Sequence, residues 1–201
     1  ISLVGVAERG ARRAALSPSA GRQATRTEPI CRRLLRTVRM TSNVTPFRNI
    51  KHVSMLWAAP ERSAEIAALH KRLFYPAWDE AAVNGLLEHP ASTSLVAVAG
   101  DPKIIVGFII GQLAADEAEI LSVGVAPDWQ RAGLGKKLVE AIIRAVRRGE
   151  AKRLFLEVAA DNAGGIALYK ALGFKETGRR KGYYERASGP PADALLYAID
   201  L

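Results

Sequence analysis

A stretch rich in glycine and basic residues, APDWQRAGLGKK at positions 126–137, follows an apolar run and precedes a helix-like pattern. Glycine has no Cβ, so the backbone at Gly133 and Gly135 can wrap closely around a ligand. The first amides of a helix have no partner within the helix and favour an anion, and Arg131 and Lys136 add positive charge. The stretch therefore predicts a phosphate-binding loop, although a plain tight turn with a basic rim would have the same composition.

Two nucleotide-binding motifs are excluded at this loop. The P-loop pattern GxxxxGK[ST] is absent. The dinucleotide fingerprint GxGxxG requires a third glycine three residues after Gly135, and the chain has Leu138 there. A phosphate at this loop would have to be held by two glycines and the basic residues beside them.

One carboxylate, Glu157, interrupts the apolar strand pattern RLFLEVAA. Because strand side chains alternate, it shares a face with Phe155 and Ala159, and the other face carries Leu154, Leu156 and Val158. A carboxylate among apolar residues costs free energy unless water or a partner reaches it, and burial favours proton uptake. Glu157 is therefore either a buried proton acceptor or an ordinary exposed strand glutamate.

A short helical segment, NAGGIALYKALGF, follows this strand. Asn162 is a good helix N-cap. Tyr169 is spaced by three from Ile166 and from Leu172, which is typical of a core tyrosine with its hydroxyl at the edge. On the pattern alone, both polar residues have a structural explanation.

The elements that would position these groups form an α+β pattern with a central mixed sheet of six or seven strands flanked by about four helices. Two helices come first, in ERSAEIAALHKRLF and WDEAAVNGLLEH, the second with Asp79 as its N-cap. A hairpin follows, TSLVAVAG and KIIVGFIIGQLA, with its turn at Gly100–Pro102. Strand EAEILSVGVAP, helix GKKLVEAIIRAVRRGE, strand AKRLFLEVAA, the short helix, a strand from Phe174 and the last strand ADALLYAIDL complete the order.

The net charge of +9 is concentrated at the start of the chain. Residues 1–39 contain nine arginines, no lysine and two acids, which leaves +2 for residues 40–201. That remainder is ordinary, so the high isoelectric point says little about the partner of the folded part. We expect residues 1–39 to lie outside the domain and residues 40–201 to form it. Met40 is the favoured start of translation, and a transit peptide or a basic tail that contacts RNA are the alternatives.

Cysteine and histidine are too scarce to predict redox or metal chemistry in the domain. The single cysteine, Cys31, lies in the basic segment, so residues 40–201 contain no thiolate nucleophile. The histidines His52, His70 and His89 have no ligand spacing, and no metal is expected. This usage is typical of a reducing, cytoplasmic setting, and no apolar run of about 18 residues predicts a membrane span.

Three segments resemble, in order and spacing, the GNAT superfamily of N-acetyltransferases. They are QRAGLG after the strand SVGVAPDWQ, LEVAADNAGGIALYKALGF, and RRKGYYER. The resemblance runs from about Ile50 to Leu201 and is most like the RimI branch, the ribosomal-protein-alanine N-acetyltransferases. The loop motif alone is moderately specific, whereas the three segments together are highly specific for the superfamily.

The resemblance implies that the glycine-rich loop binds the pyrophosphate of acetyl-coenzyme A. In that family the strand before the loop separates from the next strand, which leaves main-chain groups for the pantetheine arm and the thioester. The coenzyme-binding residues implied are Val123, Gly124, Val125, Arg131, Ala132, Gly133, Leu134, Gly135, Lys136 and Asn162. From its residue type, Gly124 also fits a close approach of ligand.

The resemblance also implies roles in the chemistry. Glu157 would accept a proton, through water, and Tyr169 would donate one to the coenzyme A thiolate. Substrate contacts are implied for Trp78, Tyr183 and Tyr184.

Two positions depart from the family pattern. Ala77 separates Pro76 from Trp78, and Glu185 stands where some relatives have proline. Both lie on the acceptor side, so the resemblance is weaker for the acceptor than for the chemistry.

The expected activity is acetyl transfer from acetyl-coenzyme A to a protein N-terminal α-amine, with the N-terminal alanine of a small-subunit ribosomal protein as the favoured acceptor. Because residues 40–201 have no cysteine for an acyl-enzyme, direct transfer in a ternary complex is favoured. One alternative is a small-molecule acetyltransferase for a polyamine, an amino acid or an antibiotic. Another is a non-catalytic acyl-coenzyme A-binding subunit. Neither nucleic acid nor a membrane is an expected partner of the domain itself.

Overall fold

A computed structural model describes residues 50–201 of the chain. The basic segment 1–39, Cys31 and Met40 lie outside the described residues, so the expectations about them stay predictions. The boundary of the domain at residue 40 likewise stays a prediction.

Seven strands and four α-helices make up the described part of the chain. The strands are β1 Ser54–Trp57, β2 Leu95–Ala99, β3 Ile104–Ala114, β4 Glu117–Val125, β5 Arg153–Ala159, β6 Lys175–Tyr184 and β7 Ala192–Asp200. The helices are α1 Ser63–Leu73, α2 Glu80–Glu88, α3 Leu134–Arg148 and α4 Ala163–Ala171, with 3-10 turns at Ile50–His52, Pro60–Arg62 and Pro127–Trp129. Within residues 50–201, no helix is both long and apolar enough to cross a membrane.

All seven strands form one mixed sheet in the order β1-β2-β3-β4-β5-β7-β6. Only β4 and β5 are parallel, and α3 connects them. The predicted α+β class, hairpin and element order are confirmed. Strand β1 was not predicted, because it has four residues and three of them are exposed, which leaves no alternating pattern to detect.

The sheet separates two hydrophobic cores. One core packs α3 and α4 against one face and includes Leu138, Ile142, Leu156 and Val158. The other packs α1 and α2 against the opposite face and includes Phe108. Each helix buries the apolar face that its sequence period indicates, and the predicted cap Asp79 accepts a hydrogen bond from the amide of Ala82 at 2.8 Å. Strand β5 contributes Leu154, Leu156 and Val158 to the first of these cores.

A β-bulge in β4 marks the point where the sheet separates. The register against β3 shifts next to Ile110, so Leu121 is an extra residue in β4. Strands β4 and β5 pair only as far as Ile120 and Leu156. Because a bulge bends its strand and interrupts pairing, the two parallel strands diverge beyond it. In the part of the chain that the structure describes, the β5-facing edge of residues 121–125 therefore has no strand partner.

Candidate active site

The glycine-rich loop forms one wall of an open cleft with a volume of about 400 Å³. Gly133 caps α3 with a φ of +87°, a conformation that suits glycine, and Arg131 also has a positive φ of 61°. Helix α3 thus begins directly at the loop, and its first amides point out of the helix end. The lining residues are Val125, Gln130, Arg131, Gly133, Gly135, Lys136, Gly164, Ala167 and Leu168.

The cleft includes residues that the sequence pattern did not identify. Gly164, Ala167 and Leu168 come from α4 and form the wall opposite the loop. Gln130 lines the cleft and donates a hydrogen bond from Nε2 to the carbonyl of Val125 at 2.9 Å, which ties the loop to the end of β4. The small residues of α4 carried no chemical signal, whereas Gln130 opens the QRAGLG motif and could have been included.

The residues predicted to bind the coenzyme differ in how far they are exposed to solvent. Arg131, Gly133 and Lys136 are exposed, and Gly135 and Ala132 are half-buried. The side chain of Leu134 is 1% exposed and belongs to the core, so only its backbone can meet a ligand. On β4, Val123 and Val125 are likewise core side chains.

Gly124 is required by packing as well as by position. A Cβ on Gly124 would lie 2.4 Å from Cε1 and 2.7 Å from Cζ of Phe108, and 2.9 Å from Cδ1 of Leu73. The Cβ direction is therefore filled by the core beneath α1. Packing therefore requires a glycine on that side of the strand, and a close approach of ligand to the backbone of Gly124 stays a prediction.

Glu157 is buried in the sheet at the gap between β4 and β5. Its side chain faces away from the core that contains Leu156 and Val158, as the alternation predicts, and the residue is 5% exposed. Oε1 lies 3.1 Å from Nη2 of Arg180. Oε2 is buried and has no hydrogen-bond partner within residues 50–201. The structure thus rules out an ordinary exposed strand glutamate.

Tyr184 and Tyr183 end β6 beside this carboxylate, with their rings edge to face at 5.3 Å. The Tyr184 hydroxyl is buried and has no hydrogen-bond partner among the described residues. Burial, and then the negative charge of Glu157, raise the pKa of Tyr184 well above its usual value of 10.0. Tyr184 therefore remains a protonated hydroxyl near Glu157.

Tyr169 is fully buried in α4, with its ring edge-on to Phe174 at 5.7 Å. Burial, followed by the proximity of Tyr184, raises the pKa of Tyr169 well above 10.0. The phenol therefore keeps its proton at neutral pH, as a proton donor must. Its role in catalysis stays a prediction.

Asn162 caps α4, and its side chain accepts a hydrogen bond from the amide of Gly165 at 3.0 Å. The predicted cap is therefore confirmed. Contact with a coenzyme stays a prediction for this residue.

An aromatic cluster surrounds Trp78 at the end of α1. The Trp78 ring stacks on the imidazole of His70 at 4.7 Å, and Phe74 stacks on the same imidazole at 4.3 Å. The Trp78 amide donates to Nδ1 of His70 at 3.1 Å. Burial lowers the pKa of His70 from 6.5 to about 4, so the imidazole is neutral at pH 7. The cluster packs against one side of Trp78, and a contact with the acceptor stays a prediction for this residue.

Comparison with known proteins finds the same elements elsewhere. The model of the acetyltransferase (GNAT) family matches residues 57–174. A [ribosomal protein bS18]-alanine N-acetyltransferase of Escherichia coli K12 is 42% identical over 94 residues, which are 47% of this chain and 63% of that protein. The match therefore spans less than two thirds of the relative's length. An N-alpha-acetyltransferase RimI of Mycobacterium tuberculosis is 34% identical over 149 residues, 71% of this chain and 87% of that protein.

Solved structures share the fold. The ribosomal-protein-S18-alanine N-acetyltransferase of Escherichia coli superposes with a TM-score of 0.68 at 28% identity, over 74% of this chain and 93% of that one. NAA60 of Arabidopsis thaliana in complex with acetyl-CoA has a TM-score of 0.65 at 18% identity, over 74% of this chain and 99% of that one. At this identity the second likeness shows the fold alone.

Proposed function

The chain belongs to the acetyltransferase (GNAT) family, and we propose that it transfers an acetyl group from acetyl-coenzyme A to a protein N-terminal α-amine. The observation that carries the proposal is Glu157, a buried carboxylate with one unpartnered oxygen at the gap between β4 and β5. The cleft at the glycine-rich loop lies at the carboxyl end of the same strand, β4. The donor and the proton acceptor can therefore meet at one place.

The residues of the cleft fit the phosphates and the pantetheine arm of coenzyme A. The amides of the loop and of the first turn of α3 suit the pyrophosphate, and Arg131 and Lys136 add charge. The β5-facing side of β4 beyond Ile120, which pairs with no strand of residues 50–201, suits the amides of the pantetheine arm. When bound, the coenzyme supplies the acetyl group as a thioester. Asn162 lies at the start of α4, which forms the opposite wall.

Glu157 supplies the base that the acceptor needs. An ammonium has no lone pair, so the amine must lose a proton before it attacks, and Oε2 of Glu157 is the free acceptor, directly or through water. An α-amine with an unperturbed pKa near 8 suits this weak base better than lysine with a pKa of about 10.4. Tyr169 keeps its proton and can pass it to the leaving thiolate. Direct transfer in a ternary complex follows, since no cysteine occurs in residues 40–201.

The acceptor is inferred from the relatives. The Escherichia coli protein acts, by its name, on the alanine of ribosomal protein bS18, and the Mycobacterium tuberculosis protein on an α-amine. We infer an N-terminal alanine of a small-subunit ribosomal protein for this chain, with Trp78, Tyr183 and Tyr184 bordering the acceptor site and a cytoplasmic location. We place the domain at residues 40–201, with residues 1–39 outside it.

A panel of amine acceptors tests this proposal with the full chain and acetyl-coenzyme A. The panel contains an N-terminal hexapeptide that begins with alanine, a peptide with a blocked N-terminus and an internal lysine, and spermidine. Thiol release with the free alanine peptide and none with the blocked peptide is the expected result. Turnover with spermidine alone would favour a small-molecule acetyltransferase. Tight coenzyme binding with no turnover on any amine would favour a non-catalytic binding subunit.

A further inference from the structure

The carboxylate of Glu157 is held from one side only. Its Oε1 lies 3.1 Å from Nη2 of Arg180, whereas Oε2 is buried with no partner within residues 50–201. The hydroxyl of Tyr184 is also buried without a partner in that range. One oxygen of the carboxylate is therefore held by a cation and the other has no partner in residues 50–201, which distinguishes the two oxygens.

Arg180 is itself supported in this position. Its guanidinium lies 5.1 Å from the centroid of the Tyr183 ring, a cation–π distance. The side chain is 38% exposed, whereas that of Glu157 is 6% exposed. The arginine thus reaches from the surface to a buried carboxylate, with an aromatic ring along one side.

A bulge in β6 lies between Arg180 and Tyr184, the two residues of this strand that interact with Glu157. The register against β7 shifts between these two residues, so β6 has more residues there than the strand opposite. Asp193 of β7 fixes the bulge: its Oδ1 accepts from the amide of Gly182 at 2.9 Å and its Oδ2 lies 3.4 Å from Nη1 of Arg179. The backbone conformation of the bulge therefore helps to determine where Arg180 lies, in addition to the conformation of its long side chain.

We propose that Arg180 is a positioning residue for acetyl transfer: it holds Oε1 of Glu157 so that Oε2 faces the acceptor amine. The inference rests on the proposed function, in which Glu157 accepts the proton. The N–H bond of the ammonium breaks, an O–H bond forms at Oε2, and the proton passes to solvent after the product leaves. Arg180 touches neither the amine nor the thioester in this step.

Among the groups around Glu157 in residues 50–201, Arg180 is the cation that contacts the carboxylate. Strand β6 presents Arg180 and Tyr184, with Tyr183 beside them, and burial raises the pKa of Tyr184, so its hydroxyl is neutral at pH 7. Strand β7 presents the uncharged Leu196, Ala194 and Ala198 on the same face. Strand β4 presents Glu119, which pairs with Phe155 two positions before Glu157 and would oppose ionisation. Within the described residues, Glu157 forms its ion pair with Arg180.

The test is the pH dependence of kcat/KM for acetyl transfer to the alanine hexapeptide, with the full chain. Removing an opposite charge at 3.1 Å from a buried carboxylate favours its protonated form. We expect Arg180→Met to move the acidic limb of the profile to higher pH, with the rate recovering as the pH rises further. Arg180→Lys, which restores a charge, should return the limb toward its wild-type position.

Arg153→Met is the matched control, because it removes the same charge from the same face of the sheet. Arg153 lies four positions before Glu157 on β5, about 13 Å along the strand, and its ion pair with Asp200 is exposed. That separation exceeds the screening length of about 8–10 Å in dilute salt, so the limb should not move. If Arg180→Met is unfolded in a thermal melt, Arg180→Gln, which keeps hydrogen-bond donors without the charge, takes its place.

A lower rate in the Arg180 variants with an unmoved acidic limb would overturn the inference, because a merely structural role predicts that result. The carboxyl carbon resonance of Glu157 gives a second readout that needs no turnover. In protein with 13C-labelled glutamate, assigned with Glu157→Gln, the titration midpoint should rise in Arg180→Met and not in Arg153→Met. If the wild type acetylates none of the amines, the proposed function fails and with it the role of Arg180 in acetyl transfer, whereas an active wild type with an unmoved midpoint in Arg180→Met overturns the role of Arg180 alone.

Discussion

At the scale of single residues, the site consists of buried polar groups that differ in their protonation at neutral pH. Glu157 contributes a carboxylate, with Oε2 unpartnered among the described residues, and Tyr169 keeps its proton at neutral pH because burial raises its pKa. The proximity of Tyr184 also raises the pKa of Tyr169, and Glu157 in turn raises the pKa of Tyr184. A base and an acid with opposite protonation preferences, connected by a third group, suit a reaction that removes one proton and returns another.

The hydroxyl of Tyr169 can be tested without disturbing its ring. Tyr169→Phe should lower kcat by roughly 10²-fold, because the leaving thiolate loses its proton donor, and should leave the affinity for coenzyme A unchanged. Steady-state kinetics and calorimetric titration with coenzyme A measure the two effects.

Tyr197→Phe is the matched control for that substitution. Tyr197 is also fully buried, and its hydroxyl has no hydrogen-bond partner in residues 50–201, but it lies on β7. Its substitution should leave kcat at the wild-type value. Equal small effects of the two substitutions would show that the Tyr169 hydroxyl donates no proton.

At the scale of elements, β4 decides the geometry. Its bulge at Leu121 ends the pairing with β5, and the last residues of β4 then lead into the loop that caps α3. The same strand therefore has no strand partner on its β5 side beyond Ile120 within residues 50–201, opens the gap beside Glu157 and leads into the glycine-rich loop. Gly124 lies in this strand, where a Cβ would be 2.4 Å from the Phe108 ring.

Gly124→Ala tests whether packing or ligand access requires the glycine. The added Cβ meets Phe108 at 2.4 Å, so we expect a loss of roughly 1–3 kcal/mol in the free energy of unfolding, measured by urea denaturation. Gly85→Ala in α2 is the control, because no heavy atom lies within 4 Å of its Cβ, and it should stabilise by about 0.5–1 kcal/mol. A Gly124→Ala protein of normal stability that fails to bind coenzyme A would contradict the packing explanation.

The sequence allowed most of these elements to be predicted, because their signals are local. The period of α1 and α3, the cap at Asp79 and the alternation around Glu157 each depend on neighbouring residues. Arg180 could not be found this way. Its contact with Glu157 depends on a bulge in β6 whose register is set by Asp193, a residue of the next strand. Long-range register leaves no mark in the local pattern.

At the scale of the whole molecule, the cleft at the glycine-rich loop and the carboxylate of Glu157 lie on opposite faces of the sheet. The coenzyme cleft is bordered by α3 and α4, on one face, whereas Glu157 points to the opposite face, where α1 and α2 pack. Strands β4 and β5 diverge between them. In the proposed reaction, acetyl-coenzyme A and the acceptor amine approach from opposite faces of the sheet and react through this gap, which suits direct transfer in a ternary complex.

The stability of the whole domain should depend on His70 at mildly acidic pH. An unfolded histidine takes up a proton near pH 6.5, whereas His70 in the fold does so only near pH 4. The unfolded state therefore binds more protons between these values, and the free energy of unfolding should fall by up to about 3 kcal/mol as the pH drops from 6.5 to 4. Denaturant titrations at several pH values measure this loss.

His70→Gln should reduce that loss relative to the wild type, because glutamine does not titrate. His89→Gln, which removes an exposed histidine, should leave it as in the wild type. Identical pH dependence in the wild type and in His70→Gln would contradict the burial of a neutral imidazole at this position.

The most direct test of the central claim is thiol release from acetyl-coenzyme A with the alanine hexapeptide, compared between the wild type, Glu157→Gln and Glu119→Gln. Glu119 is the matched control, because it lies on the neighbouring strand and on the same face but outside the gap. We expect turnover by the wild type and by Glu119→Gln, and a rate of thiol release lower by about 10²-fold or more in Glu157→Gln. A Glu157→Gln protein that acetylates the peptide at the wild-type rate would show that the proton is accepted elsewhere.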